Sequence, residues 1–186
     1  MALSKIPTQM YTPFVVDDTP AAGSVIQVIS NVMSGVLYSS ASGYVNLPDL
    51  TTTITPRAAT SKIHINLQIT ISAIGRYHMT RLYRAIGGGS EVLLANGDVA
   101  GTSRSTGWMS LGTGEGTNVT YEQHTVSGTF LDSPNTTSAI VYKPKVGNYQ
   151  SGADYAINSA HYGSGSYDAI WNSAPITTFT VMEIAG

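Results

Sequence analysis

Residues Ser61 to Ile74 read Ser-Lys-Ile-His-Ile-Asn-Leu-Gln-Ile-Thr-Ile-Ser-Ala-Ile, with apolar side chains at Ile63, Ile65, Leu67, Ile69 and Ile71. Successive side chains of an extended strand point to opposite faces, so a period of two sorts this run cleanly. One side becomes an aliphatic wall. The other carries His64, Asn66, Gln68, Thr70 and Ser72. A helix would scatter both sets around its circumference, and the β-branched enrichment agrees with a strand. We take this stretch as the central strand of a β-sheet domain.

Upstream of it, Val25, Ile26, Val28 and Ile29 form a first strand, and the passage through Ser39-Ser40-Ala41-Ser42-Gly43 reads as a long surface connection. Tyr44-Val45-Asn46-Leu47 then leads to Pro48, and Leu50 to Thr55 makes a short strand closed by Pro56-Arg57. Downstream, Tyr77 to Ile86 and Glu91-Val92-Leu93-Leu94 flank three consecutive glycines, Gly87 to Gly89, which release φ for an antiparallel hairpin. Asn96-Gly97-Asp98 is a turn signal, and polar loops surround Trp108-Met109. Val119 to Leu131 alternates loosely up to the turn Asp132-Ser133-Pro134-Asn135, after which Ala139-Ile140-Val141-Tyr142 opens a new strand. Beyond Lys143-Pro144-Lys145 comes a passage of Tyr, Gly, Ser and Asn. Thr177 to Ile184 closes the chain as a last strand expected to pair inside a sheet.

About eight to ten short strands with regular turn signals, and almost no helical periodicity, predict an all-β fold, a jelly-roll-like antiparallel β-sandwich over residues 24–186. Residues 1–23 carry Pro7, Pro13 and Pro20 and the pair Asp17-Asp18 without any period. Prolines remove ladder donors and bias neighbours to extended geometry, so this segment reads as an extended attachment arm. Ile6, Tyr11, Phe14 and Val15 are its candidate docking residues. A disordered tail is the competing reading.

The 186 residues suffice for one domain with its own core; 42% are hydrophobic and only 11% charged, against roughly 25% in a typical soluble domain. Net charge is −2. That balance leaves no footprint for a phosphate backbone, so nucleic acid is not an expected partner, and no leader or long apolar run suggests a membrane. With no cysteine, disulfides, thiolate metal sites and Cys nucleophiles are excluded.

The glycine run Gly87-Gly88-Gly89-Ser90 lacks the Lys-Ser/Thr pair of a phosphate loop, and His64, His78, His124 and His161 show no metal-ligand spacing. No nucleophile elbow or paired carboxylate is visible, so neither catalytic residues nor a cofactor or metal site is expected, and the chain reads as no enzyme. Two features suggest contact surfaces. A solvent-facing strand normally carries charge, whereas His64, Asn66, Gln68 and Thr70 are neutral, which suits burial against a copy of the same chain, where a repeated charge would face its own kind. The bland alternative is a modestly polar solvated face. Tyr149, Tyr155, Tyr162, Tyr167 and Trp171, set among small polar residues, form the second feature. Tyrosine offers rigid amphipathic area at low entropic cost, so these are receptor-contact candidates, with packing at a sandwich corner or between protomers as the equal alternative.

The succession Val25-Ile26-Gln27-Val28-Ile29, Leu50 to Pro56, Thr60-Ser61-Lys62-Ile63, Leu82-Tyr83-Arg84, Asn96-Gly97-Asp98, Leu131-Asp132-Ser133-Pro134-Asn135, Tyr142-Lys143 and Thr180-Val181-Met182-Glu183-Ile184 resembles a family of phage virion proteins. These occur as tail-fibre, spike or head-decoration domains. The resemblance implies a homotrimeric sandwich on the outside of a virion, in contact with other capsid or tail proteins and without catalytic residues. The chain departs from that pattern between Asn148 and Trp171, where similar proteins have a simpler strand. Two roles follow as expectations. One is capsid decoration, in which the arm docks on the shell; the other is a tail fibre or spike binding a host surface glycan through the Tyr-rich loops. The lack of heptads or Gly-x-y repeats for a shaft favours the first.

Overall fold

The computed structural model describes residues 19–41, 43–73, 78–97, 106–111, 123–148, 154–160 and 173–186. Among them are twelve strands and no helix: β1 (Val25–Met33), β2 (Leu37–Ser39), β3 (Gly43–Asn46), β4 (Thr52–Ile54), β5 (Lys62–Ala73), β6 (His78–Ile86), β7 (Val92–Leu94), β8 (Met109–Leu111), β9 (His124–Asp132), β10 (Ile140–Asn148), β11 (Tyr155–Ile157) and β12 (Thr177–Ile184). Every pairing is antiparallel.

The first sheet runs β1-β12-β5-β9, with β11 and β2 continuing beside the far end of β5. The second places β10 and β6 at its centre, flanked by β3 and β4 on one side and β7 and β8 on the other. Pairing is nested: β1 takes β12, β4 takes β10, β5 takes β9, and β6 takes β7 and β8. First with last and second with next-to-last is the winding of a jelly roll, so the expected fold class holds.

The alternation of β5 decides the core. Ile63, Ile65, Leu67, Ile69 and Ile71 are all fully buried and pack with Leu82, Ile140, Tyr142, Val146, Phe179 and Val181 between the sheets. At about 25 cal/mol per Å² of apolar surface, each such aliphatic side chain contributes roughly 1.5–3 kcal/mol. β12 alternates in the same way and lies between β1 and β5, inside the sheet as expected. The β6–β7 hairpin also forms where the glycine run predicts it, with Gly87 and Gly88 at φ of 58° and 77°.

Three readings are corrected. The Ser/Gly-rich passage after β1 is not one long surface connection, because it contains β2 and β3. β10 does not break at Lys143-Pro144-Lys145 but runs on to Asn148. Pro144 fits there because β4 pairs only with Ile140 to Tyr142 and β3 only from Lys145 onward. The Pro144 carbonyl accepts from Leu47 N at 3.2 Å, so the missing N–H would have pointed into the gap between two short edge strands. Third, Tyr155 to Ile157, inside the Tyr-rich passage, form buried strand β11.

Side chains tie the layers together where the sheets meet. Asp132, on β9, receives two bonds from Arg84 Nη1, at 2.7 and 2.8 Å, and one from the Tyr142 hydroxyl at 2.7 Å. Burial, then the adjoining carboxylate, pushes the Tyr142 phenol far above its ordinary value. In the same row as Asp132, on the other side of Ile63, Glu183 is fully buried and accepts from Gln27 Nε2 (2.6 Å), Arg57 N (2.7 Å) and Ser61 Oγ (2.7 Å), clamping the β4–β5 connection onto β12. Asn158, at φ 60°, donates to the carbonyls of Met33 (2.7 Å) and Gly35 (3.1 Å) and accepts from Thr177 Oγ1 (2.7 Å). Asn tolerates this left-handed conformation better than a bulky residue would.

Candidate functional site

The polar side of β5 belongs to a face built by four strands. Register places Val28 of β1 beside Met182 of β12, Met182 beside His64, and His64 beside Leu131 of β9. The next row is Ser30, Thr180, Asn66 and Thr129, and the third is Val32, Thr178, Gln68 and Ser127. Apart from His64, none of these twelve side chains can ionise. Lys62 stands at one end of the face, beside Ile184.

The face is open. On β1 and β9 its positions are exposed, and along β12 and at His64 and Asn66 they are half-buried by their neighbours. Val28, Val32 and Leu131 expose 54%, 50% and 50% of their surface, so three of the large apolar side chains left in solvent lie on one face. Scattered exposed aliphatics are ordinary; aliphatics gathered on a flat sheet without charge form a contact surface. Ser30 and Thr180 join through their hydroxyls at 2.9 Å, fixing the middle row.

Of the four residues expected at the oligomer interface, the structure brings three together in the open: His64, Asn66 and Gln68. Thr70 is corrected. It is 3% exposed, and its hydroxyl pairs with Thr125 Oγ1 at 2.8 Å while its carbonyl accepts from Asn158 N, so it closes the end of the face and offers no contact. Tyr155, one of the expected receptor contacts, is likewise corrected. It is fully buried on β11, edge-on to His78 with ring centres 5.5 Å apart, and its hydroxyl donates to the Val146 carbonyl at 3.4 Å. The corner-packing alternative is what this residue adopts, and burial pushes its phenol above the ordinary value. Tyr149, Tyr162, Tyr167 and Trp171 lie outside the described residues, as do Ile6, Tyr11, Phe14 and Val15 of the arm.

The opposite outer face, on the second sheet, has different chemistry. Arg81 lies over the Tyr44 ring at 4.0 Å, Lys145 over Tyr83 at 4.3 Å, and Glu91 bonds Lys143 and Lys145 at 2.7 Å each. The hydrogen bonds from Lys143, then Lys145, hold the Glu91 carboxyl below its ordinary value. Sequence reading missed this face, although the alternating Lys143 and Lys145 and the alternating Arg81 and Tyr83 are its visible signal. Among the described residues no three His, Asp or Glu side chains converge as a metal site, and no helix is long and apolar enough to cross a membrane.

No family model matches the chain, and no curated protein matches it in sequence. Similar solved structures include the infectious bursal disease virus Gt strain, 10% identical over 97% of this chain with a TM-score of 0.39, and the Gx strain, 11% identical over 86% with the same score. The VP2 subviral particle of that virus is 12% identical over 97% of this chain, with a TM-score of 0.38. This chain spans 43%, 37% and 42% of the length of those three chains.

Proposed function

We propose that the protein is a non-enzymatic structural component of a bacteriophage virion, a homotrimeric jelly-roll sandwich on the particle surface acting as capsid decoration. The observation that carries this reading is the uncharged four-stranded face of Val28, Ser30, Val32, Thr178, Thr180, Met182, His64, Asn66, Gln68, Ser127, Thr129 and Leu131. Removing neutral hydroxyls and amides from water is tolerable where they find partners across an interface, and no like charges meet when a copy is brought in. The virion assignment, the phage and the number three are supported by the resemblance of the Leu-Asp-Ser-Pro and Val-Met-Glu-Ile segments to virion proteins of that kind. The arm then holds the trimer to the shell through Ile6, Tyr11, Phe14 and Val15. A fibre or spike reading leans on the Tyr-rich segment, whose described member Tyr155 is buried.

Native mass spectrometry of the full chain tests the assembly, with a trimer expected and a monomer at micromolar concentration overturning it. Immunogold electron microscopy of the particle tests the role. Label on the head supports decoration, label on the tail supports the fibre, and particles without label overturn both. A chain lacking residues 1–23 is expected to remain trimeric and to stop attaching to particles that lack the intact protein.

A further inference from the structure

The first sheet ends in two long edges, β1 and β9, each of nine residues, whereas the strands flanking β10 and β6 in the second sheet have three or four. Short edges are one way in which proteins avoid unwanted strand pairing, and lysines, prolines and covering side chains are others. β9 is covered, because the Trp108 indole donates to the Thr129 carbonyl at 3.3 Å and Arg84 holds Asp132 at its end. Among the described residues β1 has none of these guards. Its sequence, Val-Ile-Gln-Val-Ile-Ser-Asn-Val-Met, contains no charge and no proline, and among the described residues it pairs with β12 along one side only. Its inward amides are committed to the sandwich, with Gln27 donating to the Thr55 carbonyl (2.8 Å) and Asn31 to Thr52 Oγ1 (2.9 Å).

We propose that the free edge of β1 is a strand-addition site whose occupant is β1 of a second copy, paired antiparallel about a two-fold axis through Ser30. Three features on the strand select this partner and register. The ladder with β12 is irregular between Val25 and Gln27 and regular from Gln27 to Met33, a seven-residue segment with Ser30 at its midpoint. A two-fold pairing about Ser30 therefore uses the whole regular segment. It sets Val28 against Val32 of the second copy on both sides of a Ser30–Ser30 pair, and β-branched residues and hydroxyls are favourable cross-strand partners. It also joins two uncharged outer faces into one sheet, in which no charge from either β1 meets another. The contact uses the backbone edge of β1, whose Val28, Ser30 and Val32 side chains form the rim of the proposed trimer face, so it would link trimers side by side.

Single cysteines in this cysteine-free chain read the register directly. With a short bismaleimide, Ser30→Cys is expected to link to itself at least about tenfold faster than the exposed control Asn96→Cys, the enhancement given by holding two thiols in one contact. Val28→Cys should link poorly to itself, because the two copies of residue 28 are four residues apart along the strand, roughly 13 Å. It should link quickly to a size-tagged Val32→Cys chain. Repeating the pattern in an Asn66→Lys background separates this contact from the trimer: if the trimer reading is right that background loses the trimer and keeps the linkage. Self-linkage of Ser30→Cys no faster than the control at the highest soluble concentration, or Val28→Cys linking to itself as fast as to Val32→Cys, would overturn the proposal.

Discussion

On the second sheet, Arg81 stacks on Tyr44, Lys145 on Tyr83, and Glu91 joins Lys143 to Lys145, whereas across the sandwich the rows through His64, Asn66 and Gln68 hold hydroxyls, amides and exposed valine and leucine. A chain with only 11% charged residues could have spread its charge thinly everywhere. It does not. One face gathers three of the nine cations and satisfies them with its own rings and carboxylate, as a surface facing water can. The other, with Lys62 only at its end, is left neutral and partly apolar, a condition that gains free energy only when something covers it.

The most severe test of this contrast introduces one charge into each face. Asn66→Lys, in the middle row of the first sheet, sets like charges together in the assembly at a cost of several kcal/mol, so association is expected to fall by about a thousandfold or more. Thr53→Lys, on the outer side of β4 in the second sheet, should leave the oligomer intact. Sedimentation at matched concentrations checks both. Equal loss of assembly in the two variants would erase the distinction between the faces.

Behind the neutral face, Glu183 is ionised without a cation, on neutral donors alone. Burial favours its protonated form, but bonds from Ser61, Gln27 and the Arg57 and Ala58 backbone outweigh that and hold the carboxyl below its ordinary 4.5. A group whose native value lies below the unfolded one stabilises the fold fully above the unfolded value and loses that contribution as pH falls through the native one. Stability should therefore be insensitive to Glu183 between pH 7 and 5 and decline below 4.5. Glu183→Ala takes the acceptor from the buried Ser61 hydroxyl and from the Arg57 and Ala58 N–H groups, while Gln27 keeps the Thr55 carbonyl, and is expected to cost about 3 kcal/mol in urea unfolding at neutral pH, with the acid decline flattened. An unchanged acid limb would remove Glu183 from this role.

A smaller effect of opposite sign is expected inside the second sheet. Thr80 is fully buried on β6 and its hydroxyl has no partner among the described residues, so Thr80→Val, of nearly the same shape, should raise stability by about 1 kcal/mol in thermal unfolding. In the first sheet the Thr70 hydroxyl is bonded to Thr125, and Thr70→Val should be neutral or unfavourable.

How much of this is legible in the sequence depends on whether the information is local. Ile63 to Ile71 announce their strand because the period lies in five consecutive alternations, and Thr177 to Ile184 do so for the same reason. Pro144 hides the continuation of β10, since its tolerance depends on a gap between β3 and β4, which precede it by about a hundred residues. The fates of Thr70 and Tyr155 are decided by the distant segments that bury them, so period two can place Thr70 on a face without showing that the face is closed there. Arg84, Asp132 and Tyr142 read separately as parts of a hairpin, a turn and a strand. Only folding brings them to one carboxylate, and no spacing encodes that.

The gentlest test concerns the charged face. Glu91→Gln removes the carboxylate between Lys143 and Lys145, both partly exposed, and exposed pairs contribute only about 0.2–1 kcal/mol. A loss of about 0.5 kcal/mol is expected at low salt. It should vanish in high salt, where a screening length of about 3 Å at 1 M removes what the water has left of the interaction. Because the Glu91 carboxyl is also held below its ordinary value, this contribution too is present at neutral pH and lost as pH falls through the native value, in parallel with Glu183 but much smaller. Assembly should be untouched. The lysines keep Tyr83 and water as partners, and a face already solvated gains little from being covered. If Glu91→Gln instead dissolved the oligomer while Asn66→Lys did not, the charged face would be the interface and the uncharged one the exterior.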